Sequence, residues 1–138
     1  MRYSRFLLTI TLTLLCGSFL YAQNPQGEQG PTNFIEVAAK EADNLMKEFD
    51  LDFRQVFLVD SLLQDMMPKM NEEMTAIQRS GATNREIFMI TYDKWLDAID
   101  KEYEKIFDED QWKRYLKSAR GREKRKRDKR MAERESMK

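Results

Sequence analysis

The sequence predicts an all-α fold. Apolar residues recur at spacings of three and four through most of residues 34–119, the pattern of amphipathic helices. The 138 residues include only 5 glycines and 3 prolines, the residues that most often interrupt helices. With 41% hydrophobic and 35% charged residues, the chain has enough apolar material for a thin helical core. We therefore expect one helical domain, residues 33–119, followed by a basic segment, residues 120–138.

Residues 1–22 have the order of features that a secretory signal peptide requires. Two arginines precede the apolar run 6–15, and small residues lead to a cleavage site after Ala22. The run is shorter than the roughly 20 residues that cross a bilayer, which favours a cleaved signal over the alternative of an uncleaved anchor. Lipid attachment at Cys16 is disfavoured because Leu15, before it, is not small. We expect a periplasmic protein that is not a lipoprotein.

The composition argues against most catalytic and metal-binding chemistry. Cys16 is the sole cysteine and leaves with the signal, and the chain has no histidine. Zinc and copper sites therefore lose their usual ligands, and nucleophilic catalysis loses its usual base. The acidic stretches 97–104 and 108–110 could bind calcium weakly, but they lack the glycine turn of a calcium loop. We predict no enzyme, no cofactor and no metal.

The helices are predicted from their start and stop signals. After a polar leader, residues 23–32, Asn33 and Glu36 form a capping box for the first helix. A second helix follows Asp52 and ends at residues 80–81, with a kink or a local break near Pro68.

A third helix begins with a capping box in residues 83–86. Its charged side chains, including Asp93 and Asp100, are expected on a solvated face. A last helix passes through Tyr115 and Leu116 to Ala119. From Arg120 onward the apolar periodicity ends, and we expect a solvent-exposed, fraying helix or tail.

Two of these start signals have the same construction. Each has an apolar residue, an aspartate cap and a glutamine three positions later, so that the aspartate and glutamine can cap each other's backbone N–H groups. The repeated positions are Leu51, Asp52 and Gln55 in the first pentad and Phe107, Asp108 and Gln111 in the second.

The two pentads resemble the paired L-T-x-x-Q motifs of the Spy and CpxP family of periplasmic helical proteins. The resemblance covers roughly residues 34–118, with Asp in place of Thr in both pentads and Phe107 in place of Leu in the second. It implies a long helical hairpin with short flanking helices, paired into a homodimer. It also implies an ATP-independent chaperone or envelope-stress role. Metal binding through histidine, found in some relatives, does not transfer to a chain without histidine.

The candidate binding residues are apolar side chains of the second helix. Methionine side chains are flexible and adapt to varied apolar partners, and a thin hairpin cannot bury both sides of a broad apolar stripe. The alternative is that they pack in the core or in a dimer contact. The residues assigned to the client or partner surface are Phe53, Phe57, Leu62, Met66, Met67, Met70 and Met74.

Charge is divided unevenly along the chain. Residues 23–116 carry 11 basic and 20 acidic side chains, whereas residues 117–138 carry 11 basic and 4 acidic ones. Three alternatives remain for the basic tail: a solvated end, attraction to an anionic membrane surface, or docking on an acidic partner or on the protein's own acidic body. Nucleic acid is not expected because the protein is exported.

Two functions are therefore predicted, in order of preference. The first is a binding protein that shields apolar segments of unfolded or envelope proteins. The alternative is a structural or regulatory envelope protein that binds one dedicated partner, or an anionic membrane surface, through its basic tail.

Overall fold

The structure is a computed structural model that describes residues 32–81 and 84–137. This part of the chain contains helices and no strand, which confirms the all-α prediction. The predicted signal peptide, the leader up to residue 31 and Thr83 lie outside the described residues. The helices are α1 (Phe34–Phe49), α2 (Phe53–Arg79), α3 (Arg85–Ile106), α4 (Glu109–Lys117) and α5 (Ala119–Ser136).

The predicted capping boxes are complete at α2 and α4, where Asp52 and Asp108 are the N-caps, whereas α1 and α3 are each capped by one asparagine side chain without the predicted box. Asn33 Oδ1 accepts a hydrogen bond from the Glu36 N–H at 3.4 Å. At the start of α2 the capping box is complete, with the Gln55 N–H donating to Asp52 Oδ1 at 2.8 Å and the Asp52 N–H donating to Gln55 Oε1 at 2.9 Å. Helix α3 is capped by Asn84, whose Oδ1 accepts from the Glu86 N–H.

Helix α2 continues from Phe53 to Arg79 with Pro68 inside it. The helix is therefore not interrupted at Pro68, and the prediction of a local break there is wrong. Ser80 and Gly81 end the helix as predicted, and Gly81 has a positive φ of 74°, a conformation that glycine adopts without steric penalty.

Helices α2 and α3 run antiparallel and pack against each other. Near the start of α2, Gln55 Nε2 donates to the carbonyl oxygen of Ile106 at 2.9 Å. Toward the other end of α2, the Glu73 carboxylate accepts a hydrogen bond from Trp95 Nε1 at 2.7 Å. The start of α2 therefore lies beside the end of α3.

The core lies where α1, α2 and the end of α3 meet α4. Four aromatic rings form its centre: Phe49 and Tyr115 have ring centroids 5.5 Å apart, and Tyr103 and Phe107 are stacked at 5.6 Å. Such pairs add to the stabilisation from burial alone. The buried apolar residues are Ala38, Ala42, Leu45, Phe49, Leu51, Val59, Leu63, Ile99, Tyr103, Phe107 and Tyr115.

The chain bends sharply between α4 and α5, where the sequence predicted one continuous helix. Ser118 has an extended backbone and ends α4, and its Oγ caps α5 by accepting from the N–H groups of Arg120 and Gly121 at 3.1 and 3.3 Å. Serine is a favourable N-cap residue. A second helix therefore starts one residue after Ser118.

Helix α5 contacts α3 and α4 and is not the solvent-exposed single helix that the sequence predicted. Arg127 is only 4% exposed and pairs with Asp100, which is also 4% exposed. Arg130 and Arg134 both pair with Asp93, which is fully buried. The prediction that Asp93 and Asp100 lie on a solvated face is therefore wrong. We call these five residues the arginine clasp.

Candidate functional site

A groove of about 620 Å³ runs between α1 and α5, with α2 and α3 beneath it. We call it the α1–α5 groove. Its floor is mostly apolar, and its two walls carry charged side chains. The floor includes Leu63, Met67, Met70, Leu96, Ile99 and Tyr103, and the walls include Val37, Lys40, Glu41 and Asn44 from α1 and Ala119, Arg120, Glu123 and Arg127 from α5.

The floor follows from the spacing of apolar residues on α2. Leu63, Met67 and Met70 lie at steps of four and three, which places them on one side of the helix. Leu63 is buried, whereas Met67 and Met70 are half-buried. Methionine side chains can change shape to fit irregular apolar partners, so this floor can adapt to different ligands.

The α1 wall has the same helical spacing. Val37, Lys40, Glu41 and Asn44 recur at steps of three, one and three. Arg120 of α5 crosses to this wall, donating to the carboxylate of Glu41 and, from Nε, to that of Glu48 at 3.1 Å. Burial opposes the charge on Arg120, but the two carboxylates outweigh it and raise the pKa of the guanidinium. This ion pair joins the two walls.

The α5 wall is held by the arginine clasp. Arg130 Nη2 and Arg134 Nη1 donate to Asp93 at 2.6 and 2.8 Å. Burial opposes ionisation of Asp93, but the hydrogen bonds and charges of the two arginines outweigh it, so the pKa of that carboxyl is lowered. Ion pairs to buried carboxylates therefore join α5 to α3.

Asp100 links the clasp to the aromatic core. Its carboxylate accepts hydrogen bonds from Arg127 and, at 2.5 Å, from the Tyr115 hydroxyl. Burial raises the pKa of Tyr115, which keeps the hydroxyl protonated as a donor. The buried charge of Arg127 is therefore balanced by a carboxylate that the core itself positions, as a buried charge requires.

The structure divides the predicted methionine surface between two grooves. Met67 and Met70 lie in the floor of the α1–α5 groove. Leu62 and Met66 line a separate groove of about 680 Å³ between α2 and α3, beside Trp95. Leu62, Met66 and Met67 also pack against the core, so core packing applies to part of this set, and contact with a client stays a prediction.

The other predicted binding residues lie elsewhere. Phe53 and Phe57 are 84% and 67% exposed and line neither groove. Met74 is half-buried near the far end of α2 and also lies outside both grooves. The seven residues assigned from the sequence therefore do not line a single groove.

The sequence did not identify the wall residues of the α1–α5 groove. The spacing of Val37, Lys40, Glu41 and Asn44 was visible, but those positions read as the polar border of an amphipathic helix. A basic run without apolar periodicity favours a solvated segment, and docking on the protein's own acidic body, one of the three alternatives, specified no contact for Arg120 or Arg127. Only tertiary contacts assign these arginines a position: Arg127 pairs with Asp100 of α3, and Arg120 pairs with two carboxylates of α1.

Within residues 32–81 and 84–137, no three or more His, Cys, Asp or Glu side chains are grouped so that they could hold a metal ion. None of the helices described combines the length and apolar character needed to cross a membrane. We compared the chain with protein-family models, curated proteins and solved structures, and none of them matches it.

Proposed function

We propose that the protein is an exported helical binding protein that shields apolar segments of unfolded or envelope proteins in the α1–α5 groove, without nucleotide, metal or cofactor. The observation that carries this proposal is the groove itself. Its volume of about 620 Å³ is within the range of ligand sites, which are typically concave and mostly apolar with a few polar groups at their edges.

The methionines favour a broad choice of ligands. Met67 and Met70 can repack around side chains of different shapes, and such surfaces recur in proteins that bind many partners. The groove walls carry charges of both signs, from Lys40 and Arg120 to Glu41 and Glu123. Charged walls keep the protein soluble around an apolar floor and limit self-association through the groove.

The expected affinity is modest. Burying one apolar client side chain contributes roughly 1.5–3 kcal/mol, so two or three such side chains contribute about 3–9 kcal/mol. Ordering of the client subtracts from this gain. We therefore expect a dissociation constant in the micromolar range or weaker. A client bound this weakly dissociates quickly and needs no ATP for its release.

The resemblance to the Spy and CpxP family supports the same proposal. The two pentads and the antiparallel α2 and α3 are consistent with a helical hairpin that binds clients. The homodimer that the resemblance implies belongs to this proposal, and sizing of the purified protein by light scattering tests it directly.

Suppression of client aggregation tests the role of the groove. Met67→Gln/Met70→Gln keeps side-chain length and helix propensity but makes the floor polar, and we expect it to weaken protection of an acid-unfolded client at near-stoichiometric ratio. Leu62→Gln/Met66→Gln is the matched control, because it makes the same kind of change in the other groove. Equal protection by the parent and the Met67/Met70 variant, both folded by circular dichroism, would exclude the α1–α5 groove as the client site.

A further inference from the structure

Helix α5 carries basic residues on two faces, and the arginine clasp uses only one of them. Arg127, Arg130 and Arg134 follow at steps of three and four and point toward α3. Arg122, Lys126 and Lys129 follow at steps of four and three, and the two lysines each lie one position before an arginine of the clasp. One residue is a rotation of about 100° around a helix. These three cations therefore form a second stripe, which we call the outer stripe.

The outer stripe is open to solvent. Arg122, Lys126 and Lys129 are all exposed. Lys126 pairs with Glu123 at 2.8 Å and Lys129 approaches Glu133 at 3.9 Å, and both glutamates are themselves more than half exposed. Exposed pairs of this kind contribute little and exchange readily with solvent or another anion.

Neither groove includes the outer stripe. The residues that α5 contributes to the α1–α5 groove are Ala119, Arg120, Glu123 and Arg127. Arg125, also exposed, donates to the Leu116 carbonyl oxygen at 2.5 Å and so has a role at the α4–α5 junction. Among the described residues, the side chains of the outer stripe make no hydrogen bond or ion pair beyond those with its two exposed glutamates.

We propose that the outer stripe adsorbs the protein to an anionic membrane surface by pairing with lipid phosphates. Its three cations lie on one side of a straight helix, about 10 Å apart end to end, a geometry that suits a flat surface with many negative groups. No large apolar residue lies between them. Adsorption is therefore electrostatic and peripheral, without insertion of the helix between the acyl chains.

The charge distribution also sets the orientation. Residues 23–116 carry 20 acidic and 11 basic side chains, whereas residues 117–138 carry 4 acidic and 11 basic ones. An anionic surface repels the acidic body and attracts α5, so the molecule approaches with α5 toward the lipid. The α1–α5 groove then stays accessible beside the surface.

Co-sedimentation of the full chain with lipid vesicles tests the proposal. Vesicles of phosphatidylcholine alone give the baseline amount of sedimented protein. We call the additional protein that sediments when the vesicles also contain phosphatidylglycerol the anionic increment. We expect a clear increment at low salt that disappears as sodium chloride is raised, because the attraction falls off within a Debye length.

Variants locate the binding to the outer stripe. We expect Arg122→Gln/Lys126→Gln/Lys129→Gln to reduce the anionic increment on the order of 100-fold, from the contribution expected of each basic residue near such a surface. Lys47→Gln/Arg54→Gln/Arg79→Gln removes the same net charge from exposed positions away from α5 and should bind nearly as the parent does.

Three results would overturn the proposal. One is the absence of an anionic increment for the parent protein. Another is an equal loss in both triple variants, which would assign the binding to net charge instead of the outer stripe. The third is binding to a soluble polyanion such as polyphosphate with no binding to vesicles. Client protection by the outer-stripe variant is expected to equal that of the parent, which separates this test from that of the groove.

Discussion

The side-chain amides of Gln55 and Gln111 bond to each other, although 56 positions separate them. Gln55 Nε2 donates to Gln111 Oε1 at 2.6 Å, and Gln111 Nε2 donates to Gln55 Oε1 at 3.0 Å. Each amide also reaches across to the other pentad, Gln55 to the Ile106 carbonyl oxygen and Gln111 to that of Asp50. Together with the two capping boxes, these bonds join the starts of α2 and α4.

This arrangement is close to twofold symmetric within one chain. Ile106 lies five positions before Gln111, and Asp50 lies five positions before Gln55. Each glutamine therefore caps its own helix and bonds to the carbonyl oxygen that precedes the other pentad. All four hydrogen-bonding positions of each amide are occupied, so the pairing leaves no unsatisfied group where the helices meet.

We expect Gln111→Ala to lower the free energy of unfolding by about 2–3 kcal/mol, because it leaves several partly buried polar groups without partners. Gln78→Ala is the matched control, since Gln78 is an exposed glutamine of α2, and should cost less than about 1 kcal/mol. Urea denaturation measures both. The double variant with Gln55→Ala should cost less than the sum of the single changes; strict additivity would contradict the pairing.

The arginine clasp predicts a dependence of stability on acid pH. The pKa of Asp93 is lowered in the folded protein, so its contribution is fully present above its unfolded value of about 3.9 and is lost as the pH falls through the folded value. We expect Asp93→Asn to cost about 2 kcal/mol at neutral pH. Thermal denaturation at several pH values should show the difference between parent and variant shrinking below about pH 4.

The stability difference between the parent and Asp93→Asn could instead stay constant down to pH 2, well below the unfolded pKa of an aspartate. That result would contradict a stabilising role for the ionised Asp93 carboxylate.

Gly121 marks the close approach of α5 to the end of α4. A Cβ atom at this position would overlap the backbone carbonyl of Leu116. We therefore expect Gly121→Ala to destabilise the protein by about 1–3 kcal/mol, although alanine normally stabilises a helix relative to glycine by about 1 kcal/mol. Ala132→Gly, at an exposed position of the same helix, should show the ordinary preference for alanine. Stabilisation by Gly121→Ala in denaturant unfolding would contradict the bend at Ser118.

Phe53 and Phe57 provide a test of the exposed face of α2. The second pentad begins 56 positions after the first, and the residues 56 positions after Phe53 and Phe57 are Glu109 and Lys113. Glu109 and Lys113 form an ion pair at 2.7 Å. We expect Phe53→Glu/Phe57→Lys to change the free energy of unfolding by no more than about 0.5 kcal/mol, because it places the same pair at the start of α2. The reversed pair, Phe53→Lys/Phe57→Glu, should be slightly less stable. A loss above roughly 2 kcal/mol in the first variant would indicate a buried position.

Much of the fold could be predicted from the sequence because its signals are local. The capping boxes at Asp52 and Asp108 depend on residues three positions apart, and the apolar spacing identified the core side of α2. The bond between Gln55 and Gln111 could not be predicted, since it requires the two pentads to meet in space. The repeat of the same five-residue pattern in the two pentads was the one indication in the sequence that they are related in space.

The candidate site was harder to predict, for a different reason. Asp93 and Asp100 lie among exposed charged residues of α3 in the sequence. Their ion pairs with α5 offset the cost of burying the two carboxylates. Ser118 was a signal that could have been used, because serine is a favourable N-cap residue. Without that bend, the basic segment has no route back onto α3, and no α5 wall for the groove can be inferred.

Contact between a client and the α1–α5 groove is the central claim, and site-specific photo-cross-linking tests it most directly. A photoreactive amino acid at Met70 lies in the groove floor, whereas one at Ser61, exposed on the same helix, lies in neither groove. We predict that an unfolded client is cross-linked from position 70 and not from position 61. Equal cross-linking from both positions, or none from position 70 while the client is protected from aggregation, would contradict the account.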